Sequence, residues 1–281
     1  MYNLTATAYE FHSIDKKECC QCGSWSPKGK QIVFGFPNGK ICQYKPDLTL
    51  ARKIDCPTGT HPGPFKIIAI QWLSTYQFAA IFLQTDAEDL SPNLHIINAP
   101  KAGPPTYVNY YDICYGKGSR ENQVYLTYIQ PWNLLLVTSA NGMETGIIGT
   151  AETGEAPTWV QYTMIDIGRI ELPLTDSKQD TFPIGVAYDT ASNHKVVLGE
   201  NELPVMPMVH ILSTHGLLIS YNFLNLKPNA PRLCSPPGPI NDQSGQFKPI
   251  EEFLEKTKPT VLQPTTVASV TAADLTFAIY I

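Results

Sequence analysis

The chain has 281 residues, of which 43% are hydrophobic and 16% are charged, and it contains 24 prolines and 19 glycines. Few charges with many turn-forming residues favour short strands over long helices. The formal net charge of −5 argues against a general affinity for phosphate backbones or anionic membranes, but it suits a basic protein partner. No apolar run approaches the roughly 18–20 residues of a membrane-spanning helix, and the first residues do not resemble a signal peptide.

The first clear structural signal is a set of three short strands and two tight turns in residues 22–44. Pro27 and Gly29 favour the first turn, because Pro fixes φ and Gly accepts a positive φ. The second turn is the Asn38-Gly39 pair, which is the strongest short hairpin signal. Together with a fourth strand at residues 50–54, this pattern is typical of one β-propeller blade, although any antiparallel meander would give it.

Similar units recur downstream at a spacing of about 40–60 residues, which is the period of propeller blades stretched by loops. The predicted strands lie at residues 66–73, 77–83, 94–98 and 107–111, then 123–129, 134–139, 144–149 and 159–164, and finally 184–189, 195–198, 205–213 and 217–221. The sequence therefore predicts an all-β fold, a partial β-propeller of the WD40-like seven-bladed type. About four blades fit into residues 1–226.

Two stretches differ from the strand-rich units in composition. Residues 166–183 form a polar connection with a short apolar centre, and connections longer than about 12–15 residues are uncommon in compact domains and often functional. Residues 227–281 are rich in Pro, Ser and Thr. We expect this tail to be largely disordered, because it cannot bury enough apolar surface to offset the entropy of ordering it.

The residues capable of chemistry form no catalytic pattern. Cys19, Cys20 and Cys22 are the sharpest metal candidates, with His12 as the nearest helper, but no second pair of ligands follows at a suitable spacing. There is no phosphate-binding glycine loop and no nucleophile elbow. We therefore expect no catalytic residue, no metal and no cofactor, and we expect the seven cysteines to be reduced thiols. The tryptophans are expected to pack in the core rather than stack on bases: Trp25, Trp72, Trp132 and Trp159.

Several runs match a known family in a fixed order across roughly residues 20–226. They are WSPKGKQ at 25–31, NG at 38–39, QY at 43–44, WLSTY at 72–76, FA at 78–79, YLTYI at 125–129 before Trp132, ELPLTD at 171–176, PIGV at 183–186 and LSTHG at 212–216. On these runs the chain resembles the amino-terminal β-propeller of the cytoplasmic-face nucleoporin CAN family. The family's propeller starts about three blades earlier and continues into Phe-Gly repeats. We therefore expect this chain to be a fragment with the later blades and the start of the tail, or an incomplete gene model.

The resemblance implies a non-enzymatic docking module at the cytoplasmic face of the nuclear pore. It would bind the DEAD-box helicase of mRNA export and other nucleoporins, compete with RNA for the helicase, and contact neither nucleic acid nor membrane directly. The family's contact is centred on the connection before the last blade, here residues 166–183. We expect its charged residues to bind the partner, with Asp189 and Glu200 as outlying contacts: Arg169, Glu171, Asp176 and Asp180.

Two alternatives remain open on the sequence. One is a generic WD40-like propeller scaffold for another protein assembly. The other, weaker, is a propeller hydrolase working through a central channel. Such a hydrolase needs converging His and acidic side chains at the ends of the inner strands, and the inner strands here are apolar runs such as residues 67–70.

Overall fold

A computed structural model describes residues 2–4, 9–11, 13–14, 19–57, 64–86, 91–193, 195–227, 229–238 and 277–280. Its first strands, β1 (Tyr2–Leu4) and β2 (Tyr9–Phe11), pair with each other. Three four-stranded antiparallel sheets follow, and in each the spatial order of the strands is their order in the chain. This local meander confirms the predicted all-β fold, because it is the strand arrangement of a propeller blade.

The strands of these three sheets have the following bounds. Sheet 1 contains β3 (Cys22–Trp25), β4 (Ile32–Gly35), β5 (Ile41–Tyr44) and β6 (Leu50–Ile54). Sheet 2 contains β7 (Phe65–Trp72), β8 (Gln77–Gln84), β9 (Asn93–Asn98) and β10 (Thr106–Tyr110). Sheet 3 contains β11 (Val124–Ile129), β12 (Leu134–Ser139), β13 (Thr145–Gly149) and β14 (Val160–Gln161).

Sheet 4 is less regular than the others. It contains β15 (Pro183–Asp189), β18 (Met208–Ser213), β19 (Leu218–Asn225) and β20 (Phe277–Tyr280), in this spatial order. A separate hairpin of β16 (Val196–Leu198) and β17 (Asn201–Leu203) is inserted after β15. The domain boundary at residue 226 and the largely disordered tail stay predictions, although four residues of that tail form β20.

Residues 184–189 and 195–198, which are predicted as consecutive strands of one unit, do not pair with each other. Gly199 has a φ of +62°, which allows a tight turn that folds β16 back onto β17 instead. Strand β18 takes the place beside β15. Its alternating residues Val209 and Ile211 are buried, and this gives β18 the apolar face that a central strand needs.

The core lies between the faces of neighbouring sheets. Val33, Ile67 and Phe82 belong to an apolar cluster between sheets 1 and 2, and Leu94 and Leu135 belong to one between sheets 2 and 3. The cluster between sheets 3 and 4 holds Leu136 and Ile147 of sheet 3 against Val209, Tyr221 and Phe223 of sheet 4. Each sheet therefore buries an apolar face against the next, as propeller blades do.

Three of the four tryptophans pack as expected: Trp72, Trp132 and Trp159 are buried. The expectation is wrong for Trp25, whose side chain is 45% exposed. Side chains alternate between the two faces of a strand, and Ser24 faces sheet 2, where its Oγ accepts a hydrogen bond from the Trp72 backbone N–H at 3.0 Å. Trp25 therefore points to the other face. Among the described residues, no helical segment has the length and hydropathy needed to cross a bilayer.

Candidate functional site

Charge is concentrated at one end of the sheets. Because successive strands run in opposite directions, residues 111–123, 140–144 and 162–182 all lie at the same end of sheets 3 and 4. We call these three segments the acidic end. Its carboxylates are Asp112, Glu121, Glu144, Asp166, Glu171, Asp176 and Asp180, and its cations are Lys117, Arg120, Arg169 and Lys178.

The apolar centre of the connection at residues 166–183 is packed in the core. Ile170 and Leu172 are 1% and 3% exposed and belong to the cluster between sheets 3 and 4. The Thr145 N–H donates to the Ile170 carbonyl and the Leu172 N–H donates to the Met143 carbonyl, both at 2.9 Å. The connection therefore runs along the edge of β13 like a short strand, and alternation turns the Glu171 side chain outward.

A groove of about 580 Å³ lies at the acidic end. Glu171 and Asp180 of the connection line it together with Asp112, Glu144 and Lys117. Carboxylates that line a concave surface focus negative potential. The groove therefore suits a basic side chain of a partner, and it brings together two of the four predicted contact residues.

The other two predicted contact residues, Arg169 and Asp176, do not line the groove. Arg169 Nη1 is 3.9 Å from Glu144 Oε2, and its Nη2 is 3.6 Å from Asp166 Oδ1. These ion pairs are exposed and therefore weak, so Arg169 can exchange them for a partner's carboxylate. Asp176 is exposed in a tight turn in which the Gln179 N–H donates to Thr175 Oγ1 at 2.9 Å.

The two outlying candidates are separated from the groove. Asp189 Oδ1 accepts a hydrogen bond from the Ala191 N–H at 2.7 Å, and its Oδ2 is 3.7 Å from His210 Nε2. Glu200 is exposed in the turn between β16 and β17. Neither side chain lines the groove.

Asp112, Lys117 and Glu144 are groove residues that the sequence reasoning missed. Asp112 and Lys117 precede β11, and Glu144 lies between β12 and β13. The signal was available, because a meander places every second turn at the same end of the sheets. Each of these residues lies on such a segment.

The metal candidates of the sequence are not arranged as ligands. Cys22 Sγ donates to the Ile67 carbonyl at 3.7 Å, and burial raises the pKa of this thiol to about 12, whereas a ligand must be a thiolate. Cys19 and Cys20 are exposed. No three His, Cys, Asp or Glu side chains meet in a metal-binding cluster within the described part of the chain, and His12 lies outside it.

The relatives of the chain are nucleoporins. Residues 1–218 match the family model of the NUP159/214 beta propeller. The chain is 56% identical to nuclear pore complex protein Nup214 of Drosophila melanogaster over 247 residues, which cover 88% of this chain and 14% of that protein. It is 33% identical to Nup214 of Homo sapiens over 220 residues, which cover 76% of this chain and 10% of that protein. The chain thus spans a small part of the length of both relatives.

Solved structures support the fold. A chain in the structure of an S. cerevisiae Dbp5 variant bound to Nup159, a Gle1 variant, IP6 and ADP superposes with a TM-score of 0.50. The match has 20% sequence identity and covers 70% of this chain and 54% of that one. The chain described here belongs to the NUP159/214 β-propeller family of nucleoporins.

Proposed function

We propose that the chain is a non-enzymatic docking module at the cytoplasmic face of the nuclear pore, which binds the DEAD-box helicase of mRNA export and works beside other nucleoporins. The groove supports this proposal most strongly, because Glu171 and Asp180 meet Asp112 and Glu144 there in a nucleoporin propeller. The solved structure with the same fold contains Dbp5 together with Nup159, which supports a partner of this class.

Competition with RNA follows from the charge of the surface. A surface that binds RNA must carry cationic side chains that neutralise phosphates. The same cations can pair with the carboxylates of the acidic end, but they cannot pair with both at once. We therefore propose that the chain and RNA bind the helicase in a mutually exclusive manner, and that the chain itself contacts neither RNA nor membrane.

The test measures binding of purified mRNA-export helicase to the 281-residue chain, with and without RNA. A variant carrying Glu171→Lys, Asp176→Lys and Asp180→Lys should lose binding. The matched control carries Asp47→Lys, Glu152→Lys and Glu155→Lys, which make the same charge change in exposed loops at the opposite end. The control should bind like the wild-type chain.

Each outcome decides a part of the proposal. Retained binding by the first variant overturns the assigned surface, and equal losses in both variants mean that net charge alone governs the interaction. A wild-type chain that is folded and does not bind overturns the docking function. A complex that holds RNA and the chain on the helicase together overturns the competition.

A further inference from the structure

The backbone of Glu171 is held by a side chain from the neighbouring sheet. Tyr221 lies in β19 of sheet 4, and its hydroxyl donates a hydrogen bond to the Glu171 carbonyl oxygen at 2.7 Å. The ring of Tyr221 is fully buried in the cluster between sheets 3 and 4. The buried ring therefore fixes the position of the hydroxyl, and the hydroxyl contacts the backbone of Glu171, which lines the groove.

This hydrogen bond completes the attachment of the connection to the protein. Strand β14 is only two residues long and pairs with Ile148 and Gly149, so that the edge of β13 is open near Thr145. Ile170 and Leu172 occupy that edge through their two backbone hydrogen bonds. Those two bonds join the connection to sheet 3, and the Tyr221 hydroxyl joins it to sheet 4.

The phenol remains a donor over the whole physiological pH range. Burial raises the pKa of Tyr221 to about 12, and the nearby Glu171 charge contributes to the rise. A phenol that stays protonated has one O–H to donate. The contact with the carbonyl is therefore present at any pH at which the protein works.

We propose that Tyr221 is a positioning residue for the docking surface: its hydroxyl fixes the backbone at Glu171 so that the carboxylate lines the groove. This inference rests on the proposed docking function. The alternative is that Tyr221 only fills the core. The ring and the hydroxyl can be separated experimentally, because Tyr221→Phe keeps the ring and removes only the donor.

The chain offers a matched control in Tyr110 of β10. Its hydroxyl donates to the Trp159 carbonyl at 2.7 Å, next to β14, so that a partly buried tyrosine joins sheets 2 and 3 in a similar way. The pKa of Tyr110 is likewise raised by burial. Tyr110 does not line the groove, and Tyr110→Phe therefore removes the same kind of hydrogen bond elsewhere.

The binding experiment is a double-mutant cycle on the whole chain with purified helicase. Tyr221→Phe should weaken binding about three- to tenfold, the range expected for one lost hydrogen bond, and Tyr110→Phe less than about twofold. In a Glu171→Gln background, Tyr221→Phe should weaken binding by a further factor of less than about two, since the two residues act as a unit. An unchanged affinity for Tyr221→Phe, or an equal loss in both backgrounds, overturns the proposal.

A second readout does not depend on the helicase. The Leu172 and Thr145 amide hydrogens, which form the backbone bonds beside Glu171, should exchange with solvent faster in Tyr221→Phe and remain unchanged in Tyr110→Phe. Unchanged exchange in Tyr221→Phe overturns the positioning role whether or not the helicase binds. If exchange is faster in Tyr221→Phe but the wild-type chain does not bind helicase, Tyr221 is a structural anchor only, and its proposed part in docking is overturned.

Discussion

Arg120 Nη1 donates a hydrogen bond to the carbonyl oxygen of Pro183 at 2.9 Å, and so joins the loop before β11 to the first residue of β15. The same nitrogen donates to the Ala140 carbonyl after β12. The side-chain amide nitrogen of Asn141, Nδ2, in turn donates to the Arg120 carbonyl oxygen at 3.0 Å. One cation therefore holds the end of the connection against sheet 3, while Tyr221 holds its middle.

Removing this cation should destabilise the protein. Arg120→Met keeps most of the aliphatic chain but leaves two carbonyl oxygens without their donor. We expect the free energy of unfolding to fall by about 1–3 kcal/mol, because unpaired buried polar groups keep their full desolvation cost. Equilibrium urea denaturation measures the change.

Lys117→Met is the control for this prediction, since Lys117 lies in the same loop and is exposed. Lys117→Met should change the free energy of unfolding by no more than about 0.5 kcal/mol, as is usual for surface positions. Equal losses in both variants would mean that Arg120 contributes only as a surface charge.

The apolar centre of the connection should behave as core. Ile170→Ala removes a side chain that is 1% exposed and packs against sheet 4, and we expect a loss of about 2–4 kcal/mol in unfolding free energy. Leu174→Ala is the control within the same connection, because Leu174 is 49% exposed. It should cost less than about 0.5 kcal/mol. Similar small effects at both positions in urea denaturation would show that the connection is not anchored.

The first three sheets could be predicted from the sequence because the residues that determine each strand and turn lie close together in the chain. Turn residues such as Asn38 and Gly39 separate the alternating apolar runs, and each strand pairs with its neighbour in the chain. In sheet 4 only β18 and β19 pair as neighbours in the chain. Its strand β18 follows an inserted hairpin, and β20 comes from a segment far along the chain. No short-range pattern in the sequence encodes either pairing.

The site was predictable only in part for the same reason. Glu171 and Asp180 stand out as charges in one unusually long connection, and both line the groove. Asp112 and Glu144 come from other segments, and their place beside the connection follows only once the meander topology has put those segments at the same end of the sheets. The Tyr221 contact with Glu171 joins residues 50 positions apart, and a tyrosine in an apolar strand gives no sign of its hydrogen-bond partner.

Alkaline pH should destabilise the fold through its buried thiols. Burial raises the pKa of Cys114 from 9.0 to about 12. Between these values the unfolded state loses the proton and the folded state keeps it, so that the stability present below about pH 9 falls as the pH rises. One fully shifted thiol contributes about 1.4 kcal/mol per pH unit.

Urea denaturation at about pH 8 and about pH 10 in reducing buffer tests this linkage. Cys114→Ala should show a smaller loss between the two pH values than the wild-type chain, whatever its stability at about pH 8. Cys19→Ala is the control, because Cys19 is exposed, and its loss should equal that of the wild type. An unchanged loss in Cys114→Ala would mean that this thiol does not control the alkaline transition.

Charges inside and outside the groove should affect helicase binding through different rate constants. Asp176 lies outside the groove in an exposed turn, so Asp176→Asn should lower mainly the association rate, and this effect should fade as salt rises from about 0.05 M to about 0.3 M. Glu171→Gln removes a charge that lines the groove. It should raise mainly the dissociation rate, since water is partly excluded there once the partner is bound, and the effect should persist at the higher salt concentration.

Association and dissociation measured on immobilised chain at both salt concentrations distinguish the two effects. Asp47→Asn is the control, because it removes one exposed carboxylate at the opposite end of the sheets, and both of its rate constants should stay within about twofold of the wild type. If Asp176→Asn raises the dissociation rate as much as Glu171→Gln does, Asp176 is enclosed by the partner, and the docking surface extends beyond the groove to the turn at residues 175–178. If Glu171→Gln acts only on association, the groove stays open to solvent in the complex, and the contact is made by its rim.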